Sequence, residues 1–525
     1  MYQEILINVE PQEKRVAIIE DKNLEEFYVE RQGAQRPACP ANGGAGRLVG
    51  SIYKGVVESI VPAIGAAFVK IGLEKNGFLH VQDLTRPDYE KMTELIDKPC
   101  GREGVKDSNK AQGEIKIKDM FKVGQQILVQ VVKEPLGTKG CRLTTHLSLP
   151  GRFLVLMPQD NHLGISRRIQ NNKERARLKD LLKTLNVPHN MGLIVRTAGS
   201  GATKREFLQD LRYLTNLWRR IKVVAQRSSS PALIHEEYDL VLRIIRDKFS
   251  SQTNRLWVDS KEEYKRIIRF LSILLPALRS RVQLYRSDLP LFEKRGVEDE
   301  IAKIYDRKVL LKSGGYMMIE PTESLVTIDV NSGKFTRKRD PEETAYLINL
   351  EAAREIARQL RLRDVGGIII IDFIDMKRAG HKKEVFDVLN EALRRDYAKT
   401  DISTVSELGL IEMTRQRVRK SLEKVVYRSC PYCQGKGLVK SPATVAISAL
   451  REIKKMLKNL NNLPASHRHG QAGKTVLVFA HPEVASQLVN ENRQSLYTLE
   501  SRYKAKILVR RDSRLHMEEF KIEPV

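Results

Sequence analysis

The chain has 525 residues, 41% of them hydrophobic, and carries 91 Lys plus Arg against 65 Asp plus Glu, a formal net charge of +26. That length supplies several domains with ordinary cores, and the positive excess draws the chain towards polyanions by counterion release. No run of about 18 apolar residues exists and only five cysteines occur, which argues against a membrane-spanning protein or a disulfide framework and favours a nucleic-acid partner in a reducing, cytoplasmic compartment.

Residues 1–30 alternate as strands do (Ile5, Ile7, Val9, then Val16, Ile18, Ile19). The opening Met1-Tyr2-Gln3-Glu4-Ile5-Leu6 lacks the charged-then-apolar order of a signal segment. A Gly/Pro/Ala-rich stretch at 32–46 reads as an insertion. Strand-like runs at 52–59, 66–71, 77–81 and 126–132, punctuated by glycine, predict a small β-barrel over 49–149, with a polar excursion at 87–119. Phe68 lies in Gly65-Ala66-Ala67-Phe68-Val69-Lys70-Ile71-Gly72 and Phe78 in Asn76-Gly77-Phe78-Leu79-His80, with Lys54, Lys70 and Lys75 nearby. Facing outwards, such a set stacks single-stranded bases; facing inwards, the rings are ordinary core. The spacing resembles the OB-fold RNA-binding module first described in a ribosomal protein, whose aromatics face RNA. Lys139, in the turn Gly137-Thr138-Lys139-Gly140, is either a phosphate contact or a solvated turn lysine.

From 150 to 240, strands at 153–157 and 193–196 mix with helices at 173–185 and 204–224. Gly164-Ile165-Ser166-Arg167-Arg168 and Ile194-Val195-Arg196-Thr197-Ala198-Gly199 each set Arg beside a hydroxyl residue near glycine. A guanidinium fork with a hydroxyl and free amides receives a terminal phosphate well, although surface Arg-Thr pairs are usually just solvated. Residues 241–305 read as mainly helical.

The chemistry concentrates at Thr327-Ile328-Asp329-Val330-Asn331-Ser332 and Ile370-Ile371-Asp372-Phe373-Ile374-Asp375. Each reads as a buried apolar strand ending on a carboxylate, and the stretch between them as one amphipathic helix. Strand, helix, strand predicts a right-handed parallel crossover that brings Asp329 and Asp372 together. With the amide of Asn331 they form an all-oxygen donor set suited to Mg²⁺. The competing view is that both are caps or turn residues. Asp340-Pro341-Glu342-Glu343 already supplies a complete helix start, so neither is needed as that cap. Asp375 is expected in a loop or supporting position.

Cys430-Pro431-Tyr432-Cys433-Gln434-Gly435-Lys436-Gly437 admits three readings. It is half of a Zn²⁺ knuckle completed by a second chain, a dithiol redox pair of glutaredoxin type, or an inert structural pair. The following glycines and the lack of a leading strand weigh against the redox pair. The chain closes with a helix at 444–459, a Ser/His/Gly linker, a strand at 475–479, a further helix and a strand at 506–510.

In this order the chain resembles the ribonuclease E/G family over nearly its whole length. The likeness is densest at 327–332, Asn349-Leu350-Glu351-Ala352-Ala353, Arg358-Gln359-Leu360-Arg361-Leu362-Arg363-Asp364, 371–376 and Glu412-Met413-Thr414-Arg415-Gln416-Arg417. The resemblance implies a multidomain α+β protein. It would comprise an RNase H-like portion split over 1–48 and 242–305, an OB-type barrel at 49–149 and a 5′-phosphate sensor at 150–241. A DNase I-like catalytic domain at 306–426, a zinc link at 427–440 and a small α/β dimerisation domain at 441–525 would follow.

It also implies a Mg²⁺-dependent endoribonuclease of single-stranded RNA that prefers 5′-monophosphate ends, acting in rRNA maturation and mRNA turnover. The metal aspartates fall on Asp329 and Asp372, the supporting amide on Asn331 and the shared Zn²⁺ thiolates on Cys430 and Cys433. The sensor falls on Arg196 and Thr197, with Gly151, Val155 and Arg167 lining the pocket. RNA contacts fall on Phe68, Phe78, Lys139 and Lys399, the last where the family often has Arg. A homodimer through shared zinc is implied, with a homotetramer left open. The end at Val525, just after the small domain, leads to the expectation of the family's shorter, ribonuclease G type. In the mechanism so implied, a Mg²⁺-activated water attacks the scissile phosphodiester and leaves 5′-phosphate and 3′-hydroxyl ends. The alternative is a non-catalytic regulator that only holds single-stranded RNA.

Overall fold

The computed structural model describes residues 2–31, 48–84, 117–135, 140–188, 190–322, 324–333, 340–404, 406, 409–417, 422, 426–428, 430–462 and 474–524. Lys139, the whole 32–46 insertion and most of the 87–119 excursion therefore lie outside the described residues. The chain divides into two compact units, 1–422 and 423–525.

The first unit opens with an antiparallel meander of β1 (Gln3–Val9), β2 (Glu13–Glu20) and β3 (Asn23–Arg31). The middles of β1 and β2 are apolar runs buried on both faces, whereas β3 is more polar and less buried. Ile5, Ile7, Val16 and Ile18 join one core, while Leu6, Ala17, Ile19 and Leu24 join another.

The barrel follows: β4 (Ile52–Val61), β5 (Ala66–Lys70), β6 (Gly77–His80), β7 (Gln126–Lys133) and β8 (Arg142–Thr144). The strand order is β4-β5-β6-β8-β7, and β7 pairs back onto β4, so the barrel is closed and OB-like. Closure brings β6 and β8 so close that a Cβ added to Gly77 would meet Leu143 Cδ1 at 2.3 Å. Lys54, expected among the cations near the aromatics, is buried instead. Its Nζ donates to Ala225 O (3.1 Å) and Ser228 O (2.9 Å), satisfying carbonyls at a helix end.

Next comes a small sheet of β9 (Leu149–Pro150), β10 (Leu154–Met157), β11 (Leu163–Ile165) and β12 (Gly192–Val195), in the order β11-β12-β10-β9. Helix α1 (Asn172–Thr184) and the long α2 (Lys204–Arg227), which starts on a Thr203/Glu206 capping box, complete its core. Strand β13 (Ala232–His235) then adds to the barrel edge at β4.

Residues 241–305 are mainly helical, as expected, but two strands that the sequence reading did not contain interrupt the helices. Between α3 (Leu240–Lys248) and α4 (Lys261–Leu274) lies β14 (Thr253–Val258), and β15 (Val282–Leu284) follows. Strand β14 pairs parallel with β1, and β15 with β14, giving one sheet of order β15-β14-β1-β2-β3. Segments from both ends of this stretch of chain thus share a sheet, with the barrel inserted between them.

The last sheet of the unit has the order β16-β17-β18-β19-β21-β20. Its strands are β16 (Lys308–Leu310), β17 (Tyr316–Pro321), β18 (Leu325–Asn331), β19 (Gly367–Asp372), β20 (Thr400–Ile402) and β21 (Leu410–Arg415). Helix α5 (Pro341–Arg363) crosses from β18 to the parallel β19; it starts on the Asp340 cap with Pro341 at its first position. With α6 (Ala379–Leu393) it covers one face of this sheet through Ile348, Ala352, Ile356 and Leu389.

The second unit holds α7 (Pro442–Asn462), β22 (Lys474–Ala480), α8 (Pro482–Val489), α9 (Arg493–Tyr503), β23 (Ala505–Arg511) and β24 (Phe520–Pro524). Strand β22 runs parallel to β23 and antiparallel to β24. Among the described residues, no helix is long and apolar enough to cross a membrane.

Candidate active site

The residue register of the parallel pair β18–β19 sets Asp329 directly opposite Asp372. Strand periodicity decides where they point. Val326, Ile328 and Val330 are buried under the helices with Ile369 and Ile371, so Thr327, Asp329, Asn331, Ile368, Ile370 and Asp372 share the other, open face. The expectation of wholly buried strands needs correction on this point: Ile368 is 52% exposed because only one face is covered. The two carboxylates project from a sheet surface.

Asn331 Nδ2 donates to Asp329 Oδ2 at 2.7 Å, which fixes one oxygen of that carboxylate. Partial burial raises the Asp372 carboxyl above its ordinary value, and the negative charges of Asp329 and Asp375 raise it further. Asp375, assigned from sequence to a supporting place, therefore acts on Asp372 through its charge. Two carboxylates side by side and an amide attract a hard cation. Among the described residues no three His, Cys, Asp or Glu side chains form a metal cage. A cation held here would fill its remaining positions with water or substrate oxygen, the habit of Mg²⁺.

A second cluster forms where β12 ends. Arg196 donates to Gly151 O (2.5 Å) and to Asp247 Oδ1 on α3 (2.6 Å), so this guanidinium is tied down and partly neutralised. Thr197 is exposed, and its Oγ1 lies 3.2 Å from Ser166 Oγ. Arg167 beside them is exposed, and Val155 pairs with Ile194 across the sheet. Asp247 is gripped in turn by Arg246 (3.1 Å), which is paired with Glu237 (2.8 Å).

The wall of this cluster is built by Asp210 of α2, a residue that sequence reasoning missed. Its carboxylate, 2% exposed, accepts the backbone N–H groups of Arg152, Phe153 and Leu154 at 3.1, 2.8 and 2.9 Å. Burial raises its pKa, and the three amides pull it back down. Gly151 must be glycine here, since a Cβ would meet the Asp210 oxygens at 2.6 Å. The only sequence signal was a lone Asp on the apolar stripe of α2. Asp210→Ala is expected to cost about 3 kcal/mol, because three buried amides lose their acceptor. Urea unfolding followed by the fluorescence of Trp218, buried on the same helix, measures it.

On the barrel, Phe68 and Phe78 face each other across β5–β6, centroids 5.9 Å apart, and His80 stacks 6.3 Å from Phe78. Both phenylalanines are half-buried, whereas their neighbours Ala67, Val69 and Leu79 fill the interior. The ring pair is therefore on the outer surface. Lys399 is exposed and 3.3 Å from Asp401.

In the second unit Cys430 is exposed and Cys433 half-buried, within a turn spanning 431–435. Gln434, Gly435 and Gly437 adopt positive φ (53°, 87° and 73°), which arches the backbone so that amides face the sulfur. Gly437 N donates to Cys433 Sγ at 3.3 Å, and these amide donors hold the thiol below its ordinary pKa. Such a turn suits a metal-bound thiolate pair. The helix that a glutaredoxin-type dithiol would open is not formed at this turn, and the lowered thiol is the second cysteine. Cys141, buried in the barrel with its thiol pushed up to about 11, is inert.

Comparison with known proteins matches this layout. The profile described as the Ribonuclease E/G family covers residues 148–418, and that described as RNase E/G, Thioredoxin-like domain covers 429–525. The strands and helices of the second unit are accordingly a thioredoxin-like domain. Ribonuclease G of Haemophilus influenzae (strain ATCC 51907 / DSM 11121 / KW20 / Rd) is 38% identical over 493 residues, 94% of this chain and 93% of that protein. Ribonuclease G of Escherichia coli (strain K12) is 37% identical over 95% of each chain. Ribonuclease E of the same Haemophilus strain is 37% identical over 96% of this chain but only 50% of its own length. Identity sustained over nearly the full length of two relatives, with a family profile across more than half of the chain, places it: the chain belongs to the ribonuclease E/G family.

Proposed function

We propose that this endoribonuclease cleaves single-stranded RNA on the open face of the β18–β19 pair, preferring 5′-monophosphorylated ends, in rRNA maturation and mRNA turnover in the cytoplasm. The observation that carries the reading is the direct register of Asp329 with Asp372 on an uncovered sheet face. Asp329 and Asp372 would hold Mg²⁺, which supplies an activated water and offsets charge on the phosphoryl oxygens. Asn331 keeps one Asp329 oxygen engaged and so orients the other. Water adds to phosphorus in line with the departing O3′; the P–O3′ bond breaks, leaving a 3′-hydroxyl and a 5′-phosphate.

Arg196, anchored by Asp247, and Thr197, together with Arg167 and the wall of Gly151 and Val155, form the pocket for the terminal phosphate. Phe68 and Phe78 stack bases, and Lys399 contacts the backbone as a point charge; Lys139 is assigned the same role. Cys430 and Cys433 would hold Zn²⁺ shared with a second chain, giving a homodimer able to pair further. The outward Phe68/Phe78/His80 surface also supports the second reading, an RNA-binding regulator without cleavage.

One assay separates these readings: an A/U-rich single-stranded RNA bearing a 5′-monophosphate or a 5′-hydroxyl, with Mg²⁺ or with EDTA. Mg²⁺-dependent cleavage that favours the monophosphate is expected. Binding without cleavage under every condition would favour the regulator. Thr197→Val is expected to narrow the monophosphate-to-hydroxyl rate ratio about tenfold, the size of one charge-assisted hydrogen bond. An unchanged ratio would remove Thr197 from the pocket.

A further inference from the structure

We propose that Tyr397 is a base-stacking platform for single-stranded RNA, placed beside the end pocket with two cations near its ring. The proposal rests on RNA as the substrate. Tyr397 is 47% exposed, yet its backbone is fixed on both sides. Asp396 is buried and held by Arg415 through two bonds (2.7 and 3.1 Å), and Ala398 is buried with its N–H on Asp396 Oδ1 (2.8 Å). A ring on so rigid a stem loses little entropy when a ligand covers it.

Two cations address the ring. Lys248 Nζ lies 4.0 Å from its centroid and Arg168 Cζ 6.0 Å. Lys248 is also paired with Glu26 at 2.6 Å, which holds it in position. Arg168 reaches Asp396 O at 3.5 Å, and its backbone N–H lies 3.4 Å from Ser166 Oγ, the hydroxyl that meets Thr197. One chain of contacts therefore runs from the phosphate-binding hydroxyl to the aromatic ring, with Lys399 two residues beyond.

A lone exposed tyrosine would need no explanation. An exposed ring, a fixed stem, nearby cations and a neighbouring anion pocket together match what single-stranded nucleic acid binds. A phosphate meets the exposed Arg168 and a base covers the exposed part of the ring, with no demand for a particular sequence. A nucleotide next to the 5′ end is the natural occupant when the terminal phosphate sits at Arg196 and Thr197.

The test uses the full-length protein in EDTA, with binding of short fluorescent single-stranded RNAs read by anisotropy. The RNAs carry an abasic site at each of the 5′-most positions in turn. Tyr397→Leu is expected to weaken binding of intact RNA about tenfold, the order of one lost stack, while Tyr397→Phe keeps the ring and the affinity. One abasic RNA should bind wild type and Tyr397→Leu alike, because the base that the ring covers is already missing. Equal losses in Tyr397→Phe and Tyr397→Leu, or a Tyr397→Leu loss that is the same on every abasic RNA, would overturn the proposal. Thermal melting of both variants excludes misfolding as the cause. Running every RNA with 5′-monophosphate and 5′-hydroxyl ends separates the two readings. Loss of end preference would count against the phosphate pocket and leave the stacking measurement readable.

Discussion

Asp329→Asn and Asp372→Asn are each expected to lower kcat about a thousandfold or more while RNA binding persists. Each removes one of two charges that would hold the metal, and a metal contributes several kcal/mol of transition-state stabilisation. About 4 kcal/mol corresponds to about a thousandfold at ~1.4 kcal/mol per decade. The same substitutions carry an opposite signature in stability. Asp329 and Asp372 are like charges in direct register on neighbouring strands, and such facing pairs cost roughly 0.2–1 kcal/mol. Neutralising either one should therefore leave the metal-free protein as stable as wild type or slightly more so, measured by urea unfolding in EDTA. Strand-end caps would behave the other way, with activity kept and stability lost. Asp375→Asn, which removes only a nearby charge, should change the rate by less than about tenfold. Full cleavage activity in both Asp329→Asn and Asp372→Asn would end the assignment.

The second large effect is expected at the cysteine turn. With four thiolates per Zn²⁺, protein purified without chelator should contain about half a zinc per chain, because each chain supplies only two. Cys433→Ser should abolish the bound metal and convert dimers to monomers by light scattering. The free energy at stake is large, since structural zinc contributes on the order of 10 kcal/mol. Cys430→Ser should do the same, and strong chelation of the unmodified protein should reproduce both. One zinc per chain in a monomer would replace the shared site with a different ligand set. A dimer that survives both substitutions would move the interface elsewhere.

Much of the sheet that carries Asp329 and Asp372 was legible because its signals are local. The apolar run at 368–371 ending on Asp372, the Asp340-Pro341 helix start and the helix between them are all patterns of neighbouring residues, and the structure bears each of them out. A strand, a crossover helix and a second strand leave little freedom in how the pair assembles, so the meeting of Asp329 and Asp372 followed from chain order alone. The barrel strands were legible for the same reason, but the aim of Phe68 and Phe78 was not: local pattern left it open, the resemblance pointed outwards, and the structure decides it by placing Ala67, Val69 and Leu79 in the interior.

Other features depend on partners far along the chain, which no local pattern records. Strand β14 was hidden within a helical stretch because its pairing partner is β1, about 250 residues earlier. Lys54 looked like a surface cation until α2 placed carbonyls over it. Arg196 looked like a free fork until α3 brought Asp247 to it, and Asp210 was one polar residue on an apolar stripe until the 152–154 amides turned towards it. The sequence by itself determined the elements, the crossover and the pairing of the two aspartates, because strand period, capping and connection handedness act over short stretches. Which face of each sheet stays open, and which charges are spent on internal partners, was decided only by tertiary packing, because burial depends on what the rest of the chain lays against each side chain.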